Sequence, residues 1–366
     1  MKNPRDKILV ALFLLIALFL CYTVVILSSD VSLSAKSSVL YEPTEKRFIY
    51  SKNADTRLPM ASTTKIMTAL VAIDRCPLDR IVSIADKAIG IEGSSLYLKA
   101  GEALSMKDLL YGLLLRSAND AACAIAYEIA GGIDEFADMM NEKAQELGLT
   151  DTHFTNPHGL HDTEHYTTAR ELAIISAAAL SRPELKEIVS TKRVTIKNSE
   201  GEARLVVNHN KLLSMYEGAI GVKTGFTKKA GRCLVGACER DGLSFITVTI
   251  NAPDDWNDHI KLFDLGYSLF EMRTLAEKNE FLYKIPVIGG KEDSIIITNK
   301  DEIKRIFKRS DPTVTKQIDL CRYTSAPIKE GDIIGYVKFY LDGEEIERIP
   351  LTAGSDVYKK AKRIFN

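Results

Sequence analysis

The sequence predicts an α+β fold: a mostly antiparallel sheet flanked by helices, with a helical subdomain, followed by a small C-terminal β domain. Three observations predict it. Strand-like stretches lie on both sides of a long helical block, the block itself is nearly continuous, and from about Phe281 onward the period is strand-like throughout. Strands that far apart in the chain meet most simply in one sheet, with the intervening helices packed on its faces. At 366 residues the chain has room for a large domain and a smaller companion. The expected division is an export segment at 1–29, the main body at 36–278, a β-sandwich-like domain at 281–354 and a short basic tail at 355–366.

Each element has its own signal. Lys2, Arg5 and Lys7 precede the uncharged, almost wholly apolar stretch from Ile8 to Leu27, an export segment whose amino end stays inside. Its length suits either a cleaved signal or a retained membrane anchor, and Ser28, Ser29, Ser32, Ser34 and Ala35 offer small residues for cleavage. Cys21 follows Leu20, which is too large for a lipoprotein signal. Ser38 to Tyr41 and Phe48 to Ser51 form a hairpin around Pro43, Thr44, Glu45 and Lys46. A buried helix starts at Ser62, with Ile66, Met67, Ala69, Leu70, Val71 and Ile73 at helical spacings. Further helices run from Met106 to Leu115, from Ala121 to Ala130 with Gly131 as a stop, from Ile133 to Leu147 and from Thr168 to Leu180. Strands follow at Arg204 to Val207, Gly221 to Thr227, Arg232 to Cys238 and Ser244 to Ile250, then a last helix from about Trp256 to Ala276. In the β domain, strands are expected at Ser294 to Thr298 and Val314 to Leu320, with the Asp342-Gly343 turn joining Val337 to Leu341 and Glu345 to Ile349.

Composition narrows the function. Lys+Arg number 48 against 49 for Asp+Glu, and no long basic run appears outside the extreme C-terminus, which argues against a nucleic-acid partner. With 46% hydrophobic and 27% charged residues this is a folded body rather than a disordered chain. Six cysteines are present, five of them outside the export segment. Cys76, Cys123, Cys233 and Cys238 sit among apolar neighbours as small buried hydrophobes, and neither a disulfide framework nor a metal-type spacing is expected. The end of the chain, Val357 to Phe365 with Lys359, Lys360, Lys362 and Arg363, reads as a short basic helix, either solvated or touching an anionic membrane.

Three short motifs carry chemistry. Ser62 and Lys65, three apart on a buried helix, share one face and can come within hydrogen-bond reach as nucleophile and base. Ser-x-x-Lys arises by chance, but a lysine flanked by Ile66 and Met67 in an apolar helix is costly without a task. Ser117-Ala118-Asn119 falls in a break between helices and offers a hydroxyl with an amide; alone it reads as a capping turn. Lys223-Thr224-Gly225 lies in a strand where Gly225 lets a ligand backbone lie along the edge; alone, Lys223 reads as an ordinary edge lysine.

Together, in this order, the three motifs resemble those of serine β-lactamases and penicillin-binding proteins, with Ala118 in place of an aspartate. The chain resembles in particular the low-molecular-mass penicillin-binding proteins, the D-alanyl-D-alanine carboxypeptidases. Pro59 to Thr68, Asn156-Pro157-His158-Gly159-Leu160, Tyr166-Thr167-Thr168-Ala169 and Ala230 to Val235 also look like that family, so the resemblance runs from about Ser38 to the end. It implies a β-lactamase/transpeptidase-like body and an activity: removal of the terminal D-alanine from cell-wall stem peptides. Acylation by β-lactam antibiotics is implied too, with no metal and no cofactor. The enzyme would act at the extracytoplasmic face of the bacterial membrane, held by the N-terminal segment, or be secreted if that segment is cleaved.

The resemblance also implies roles. Ser62 attacks the carbonyl between two D-alanines to form an acyl-enzyme. Lys65 takes its proton, which requires its pKa to fall by about three units, worth about 4 kcal/mol, through burial and a nearby Lys223. Ser117 relays the proton with Lys223, Asn119 holds the stem amide, and Thr224 and Thr227 meet the terminal carboxylate. The backbone N–H groups of Ser62 and Phe226 stabilise the oxyanion, and Gly225 keeps the strand edge clear. Two departures stand out: Phe226 where some relatives have histidine, and His209 where some have a carboxylate-binding arginine. Competing readings are a β-lactamase, for which no Glu-x-x-Leu-Asn loop lies between Ser117 and Lys223, a cell-wall endopeptidase, a metal hydrolase on His153, His158, His161 and His165, and a non-catalytic scaffold.

Overall fold

The computed structural model describes residues 31–361, so the export segment and the last residues of the tail lie outside it. In chain order, a hairpin of β1 (Ser37–Glu42) and β2 (Arg47–Lys52) leads through a 3₁₀ turn at Ala61–Thr64 into α1 (Lys65–Arg75). A small ladder, β3 (Ile81–Ser83) with β4 (Ala103–Ser105), precedes α2 (Met106–Tyr111), α3 (Asn119–Ala130), α4 (Ile133–Glu146), α5 (Ala169–Leu180) and α6 (Pro183–Ser190). The chain then forms a ribbon, β5 (Arg193–Lys197) with β6 (Ala203–Val207), a short α7 (Leu212–Met215), and the meander β7 (Ala219–Thr227), β8 (Gly231–Arg240) and β9 (Leu243–Ile250). After α8 (Asp255–Leu269) come β10 (Phe270–Ala276), β11 (Tyr283–Ile288), β12 (Ser294–Thr298), β13 (Ile303–Lys308), β14 (Thr315–Leu320), β15 (Thr324–Ser325), β16 (Ile333–Leu341) and β17 (Glu344–Ala353).

The main sheet has the order β2-β1-β9-β8-β7, antiparallel throughout. β1 pairs with β9, so the two ends of the body are joined and the helical block is an excursion between them. The sheet is covered on both faces. Val39, Val235, Ala237, Ile246, Val248 and Ile250 share a core with α1 through α6, whereas Leu40, Leu234 and Phe245 pack against Leu262 and Phe263 of α8. That division follows the alternation of side chains along each strand. On the α8 side the buried His259 ring lies between Thr247 Oγ1 at 2.6 Å and Thr249 Oγ1 at 3.0 Å. Burial depresses its pKa to about 3, and it bonds as a neutral ring. Strand β7 is an edge, and its free side faces the start of α1.

Local chemistry fixes the element ends. Thr168 caps α5 by accepting the Glu171 N–H at 3.1 Å, and Gly131 closes α3 with φ +78°. Asp342 and Gly343 both take positive φ, as a two-residue hairpin turn requires. Three expectations need correction. The last helix of the body stops at Leu269, because Phe270–Ala276, although rich in helix formers, pairs antiparallel with Ile303–Lys308. A non-local ladder there outweighs local propensity. The described part of the basic tail is extended rather than helical: Val357 is buried and exchanges backbone hydrogen bonds with Ile328, both at 2.9 Å. Cys76, expected to be buried, is half-exposed.

The last third of the chain builds a six-stranded sheet, β14-β16-β17-β12-β11-β15, with a core of its own around Ile297, Phe307, Val337, Phe339, Ile349 and Leu351. Leu351 lies at the centre of that core, fully buried. Leu351→Ala should therefore lower the stability of this sheet by about 2–5 kcal/mol while leaving the main sheet intact, which chemical denaturation followed by hydrogen exchange will resolve.

Candidate active site

The 3₁₀ turn at Ala61–Thr64 sets the geometry of Ser62. Ala61 occupies left-handed space at φ 48°, an uncommon conformation for a residue with a Cβ, held by the surrounding contacts. Thr63 Oγ1 donates to Met60 O at 2.6 Å and Thr64 Oγ1 to Ala61 O at 2.8 Å, so two of the three hydroxyls tie down the turn. Ser62 is left half-buried at the mouth of a cleft.

Lys65 is fully buried. Its Nζ lies 2.6 Å from Asn119 Oδ1, 2.5 Å from His158 O and 3.1 Å from Ser62 Oγ. The first two can only accept, since Asn119 Nδ2 is committed to Glu92 O. A neutral amine has two hydrogens for those two acceptors, and its lone pair is then left for the proton of Ser62 Oγ. Burial, and after it the charge of Lys223, hold the Lys65 pKa well below the ordinary lysine value. The turn supplying His158 O is clamped by Asn156, whose Oδ1 accepts from Gly159 N at 2.7 Å and whose Nδ2 donates to Leu160 O at 3.1 Å. Gly159 is required there: at φ +86°, a Cβ would fall 2.0 Å from Ala61 O.

Ser117 and Asn119 come from the break after α2. The chain makes one wider turn at Gly112–Arg116, and Ser117 then takes φ 66°, which turns its side chain into the cleft. Its hydroxyl makes no hydrogen bond among the described residues. The neighbouring Asp120 was missed in the sequence: its carboxylate accepts from Leu96 N and Leu98 N, both at 3.1 Å, and from Ser95 Oγ at 2.6 Å. Asn119 N donates to Ser94 O at 2.7 Å, so these two residues bind the loop that lies over the cleft.

Lys223, Thr224, Gly225 and Phe226 come from β7. Lys223 is buried, donates to Thr224 O at 2.8 Å, and has its pKa lowered to about 7 by burial. It makes no hydrogen bond to Ser117 among the described residues. A Cβ on Gly225 would lie 2.9 Å from Ser62 N and 3.1 Å from Thr63 N, so glycine lets β7 approach the start of α1. Thr227 stands apart: its Oγ1 accepts from Ala230 N at 3.0 Å and closes the bend into β8.

The cleft, about 420 Å³, is lined by Ser62, Ser117, Thr224, Gly225 and Phe226 together with Ser94, His209, Lys211, Arg232, Asp255 and Trp256. Toward one end, His209 N donates to Leu115 O at 3.1 Å and Arg116 Nη1 lies 3.3 Å from His209 Nε2. A guanidinium only donates, so Nε2 accepts and the ring proton sits on Nδ1. Burial, then Lys223 and Arg116, lower the His209 pKa. A larger groove of about 820 Å³ near Phe48 and Ile174 contains none of these groups. Among the described residues no three His, Cys, Asp or Glu side chains are arranged to hold a metal. His165 is buried instead against Thr64, with its Nε2 2.7 Å from Thr64 Oγ1 and its Nδ1 accepting from Thr155 N at 3.0 Å. Burial lowers its pKa to about 4.

Comparison with known proteins agrees on the body and the β domain. A family model described as D-alanyl-D-alanine carboxypeptidase matches residues 24–254, and one described as penicillin-binding protein 5, C-terminal domain, matches 270–359. The chain is 33% identical over 342 residues to D-alanyl-D-alanine carboxypeptidase DacF of Bacillus subtilis (strain 168), covering 91% of this chain and 88% of that protein. It is similar in structure to penicillin binding protein 5 from Haemophilus influenzae, with TM-score 0.66, 28% identity and coverage of 90% and 99%. It is also similar to PBP3 from Streptococcus pneumoniae, with TM-score 0.70, 25% identity and coverage of 89% and 100%.

Gly225→Ala tests the approach of β7 to the start of α1. The added methyl pushes the strand from the Ser62 N–H, so labelling of the protein by a fluorescent penicillin should slow by about 100-fold or more, while circular dichroism stays unchanged because β7 is an edge. Unchanged labelling kinetics would refute the packing argument.

Proposed function

The chain belongs to the D-alanyl-D-alanine carboxypeptidase family, and from that premise we propose that it is a serine-type peptidase releasing the terminal D-alanine of peptidoglycan stem peptides through an acyl-enzyme on Ser62. One observation carries the proposal: the Lys65 amine, fully buried and engaged by two acceptors, has its lone pair left for the Ser62 hydroxyl 3.1 Å away.

Lys65 takes the proton as Ser62 Oγ attacks the carbonyl between the two D-alanines. The backbone N–H groups of Ser62 and Phe226 take up the developing oxyanion, while Gly225 holds those two segments close. Ser117, with its unengaged hydroxyl on the same cleft, passes the proton to the departing D-alanine. Asn119 serves both sides, fixing Lys65 through Oδ1 and meeting the stem peptide as the substrate enters. The terminal carboxylate goes toward the cationic end, to the Thr224 hydroxyl and Lys223, with Arg116 donating to His209 beside them. Thr227 acts from the hairpin bend, shaping the strand on which the substrate lies.

A β-lactam enters by the same route and leaves slowly. Among the described residues the carboxylate lining the cleft is Asp255, and it is ion-paired with Arg232 rather than with a group at Ser62. This favours a penicillin-binding peptidase over a β-lactamase. The export segment at 1–29 supports a place outside the cytoplasm and attachment to the membrane, and the separate cores support a peptidase body over 36–278 with a β domain over 281–354.

With a peptide ending in two D-alanines, the wild type should release free D-alanine and Ser62→Ala should release none above background. Release by both proteins, or by neither, would defeat the assignment. The pH profile supplies a second test. On the acid side kcat/KM falls as Lys65 gains a proton; on the alkaline side it falls as pH climbs above about 7 and Lys223 loses the charge that attracts the carboxylate. Lys223→Arg keeps a cation at every working pH, so the alkaline limb should disappear from its profile below about pH 10, whatever the variant's absolute rate.

A further inference from the structure

The cleft has two chemically unlike ends. One holds Lys223, with His209 and Arg116 close by. At the other, past the oxyanion position, Phe226 stands directly across the β7–β8 ladder from Arg232. Phe226 is 66% exposed and Arg232 is exposed too. Trp256 completes the group, with the Arg232 guanidinium 5.8 Å from its ring centroid.

Arg232 is held rather than free. Its Nε and Nη2 reach Asp255 Oδ1 at 3.0 and 2.7 Å, and the same oxygen accepts Trp256 N at 2.9 Å. Among the described residues no hydrogen bond reaches Arg232 Nη1 or Asp255 Oδ2. Both residues line the cleft, so it carries a fixed guanidinium with spare donors next to a carboxylate with a spare acceptor, flanked by two aromatic faces.

The polarity of the substrate decides what meets this group. The proposed function puts the terminal carboxylate at the Lys223 end, and the following inference rests on that reading. A peptide lying along β7 rises about 3.3 Å per residue, so the residue preceding the D-alanyl pair falls about 5 Å beyond the scissile carbonyl, toward Phe226 and Arg232. We infer that Arg232 and Asp255 form a receptor for a zwitterion: the side chain of the residue before the D-alanyl pair ends in an ammonium and a carboxylate on one carbon. The carboxylate accepts from Arg232 Nη1, the ammonium donates to Asp255 Oδ2, and Phe226 and Trp256 cover the methylenes between. A lysine at that position offers the ammonium alone, leaves Arg232 Nη1 without an acceptor and sets two cations side by side. The enzyme is therefore selective for stems carrying a diamino dicarboxylic acid over stems carrying lysine.

Three N-acetylated peptides ending in D-alanyl-D-alanine test this, with the preceding residue meso-diaminopimelate, its side-chain carboxamide, or lysine. Wild type should give a kcat/KM for the first about tenfold or more above the other two. In Arg232→Gln that ratio should collapse to near one, and Arg232→Lys, which keeps charge but not the fork, should restore part of it. The labelling rate with fluorescent penicillin, which has no such side chain, shows whether each variant keeps a working Ser62. Equal wild-type values for the three peptides, or an Arg232→Gln protein that labels normally and keeps the full ratio, would overturn the inference. D-alanine release from none of the peptides would instead bring down the peptidase reading on which it rests.

Discussion

A lysine amine taken out of water must lose its proton or gain a counter-charge, and the surroundings of Lys65 leave only the first course. Among the described residues no carboxylate bonds to it: two neutral acceptors, Asn119 Oδ1 and His158 O, take the hydrogens, and Lys223 adds a repelling charge. The result is an amine whose basicity is spent on the Ser62 hydroxyl, 3.1 Å away. A carboxylate in place of the Asn119 amide would return Lys65 to its charged state and remove the base. Neutral partners are thus as much a part of the chemistry as the lysine.

Much of the surrounding structure reads as support for that environment. Asn156 holds the turn that presents His158 O, and Gly159 lets the turn press against Ala61. Asp120, one residue beyond Asn119, gathers the loop at Leu96 and Leu98 and so keeps solvent from the same side. Gly225 brings β7 against the turn at Ser62, which also closes the cleft around Lys223. Each support comes from a different part of the chain. The main sheet, joined through β1 and β9, brings them to one place.

That division explains what the sequence could and could not reveal. Ser62 and Lys65 are legible because three residues along a helix fix a shared face, and the strands of the main meander are legible because their alternation is local. His158 contributes through a backbone carbonyl, which leaves no mark in residue chemistry; only the Pro157 and Gly159 around it betray a special turn. Asp120 looks like an ordinary helix-start acid until the loop it binds is seen. Phe270 to Ala276 reads as helix because Glu271, Met272, Arg273 and Leu275 favour one, and the partner strand that overrides them begins at Ile303. Arg232 likewise looks like a solvated strand charge, since neither Asp255 nor the cleft is close to it in sequence.

An open strand edge is ordinarily a hazard, and β7 meets it with a register irregularity between Ala219 and Gly221 and with a lysine that points inward. The edge also lines the cleft together with Ser62 and Ser117, so a peptide that pairs with β7 must lie beside them. The same feature that would invite aggregation elsewhere here selects a single strand and fixes its direction, since the two ends of the cleft carry different charges. Directional binding on an otherwise uniform ladder of backbone groups must come from the ends. A carboxylate drawn to Lys223 and a side chain drawn to the Arg232–Asp255 pair would set the scissile carbonyl between them, over Ser62, without any base-like recognition of the residues being cut.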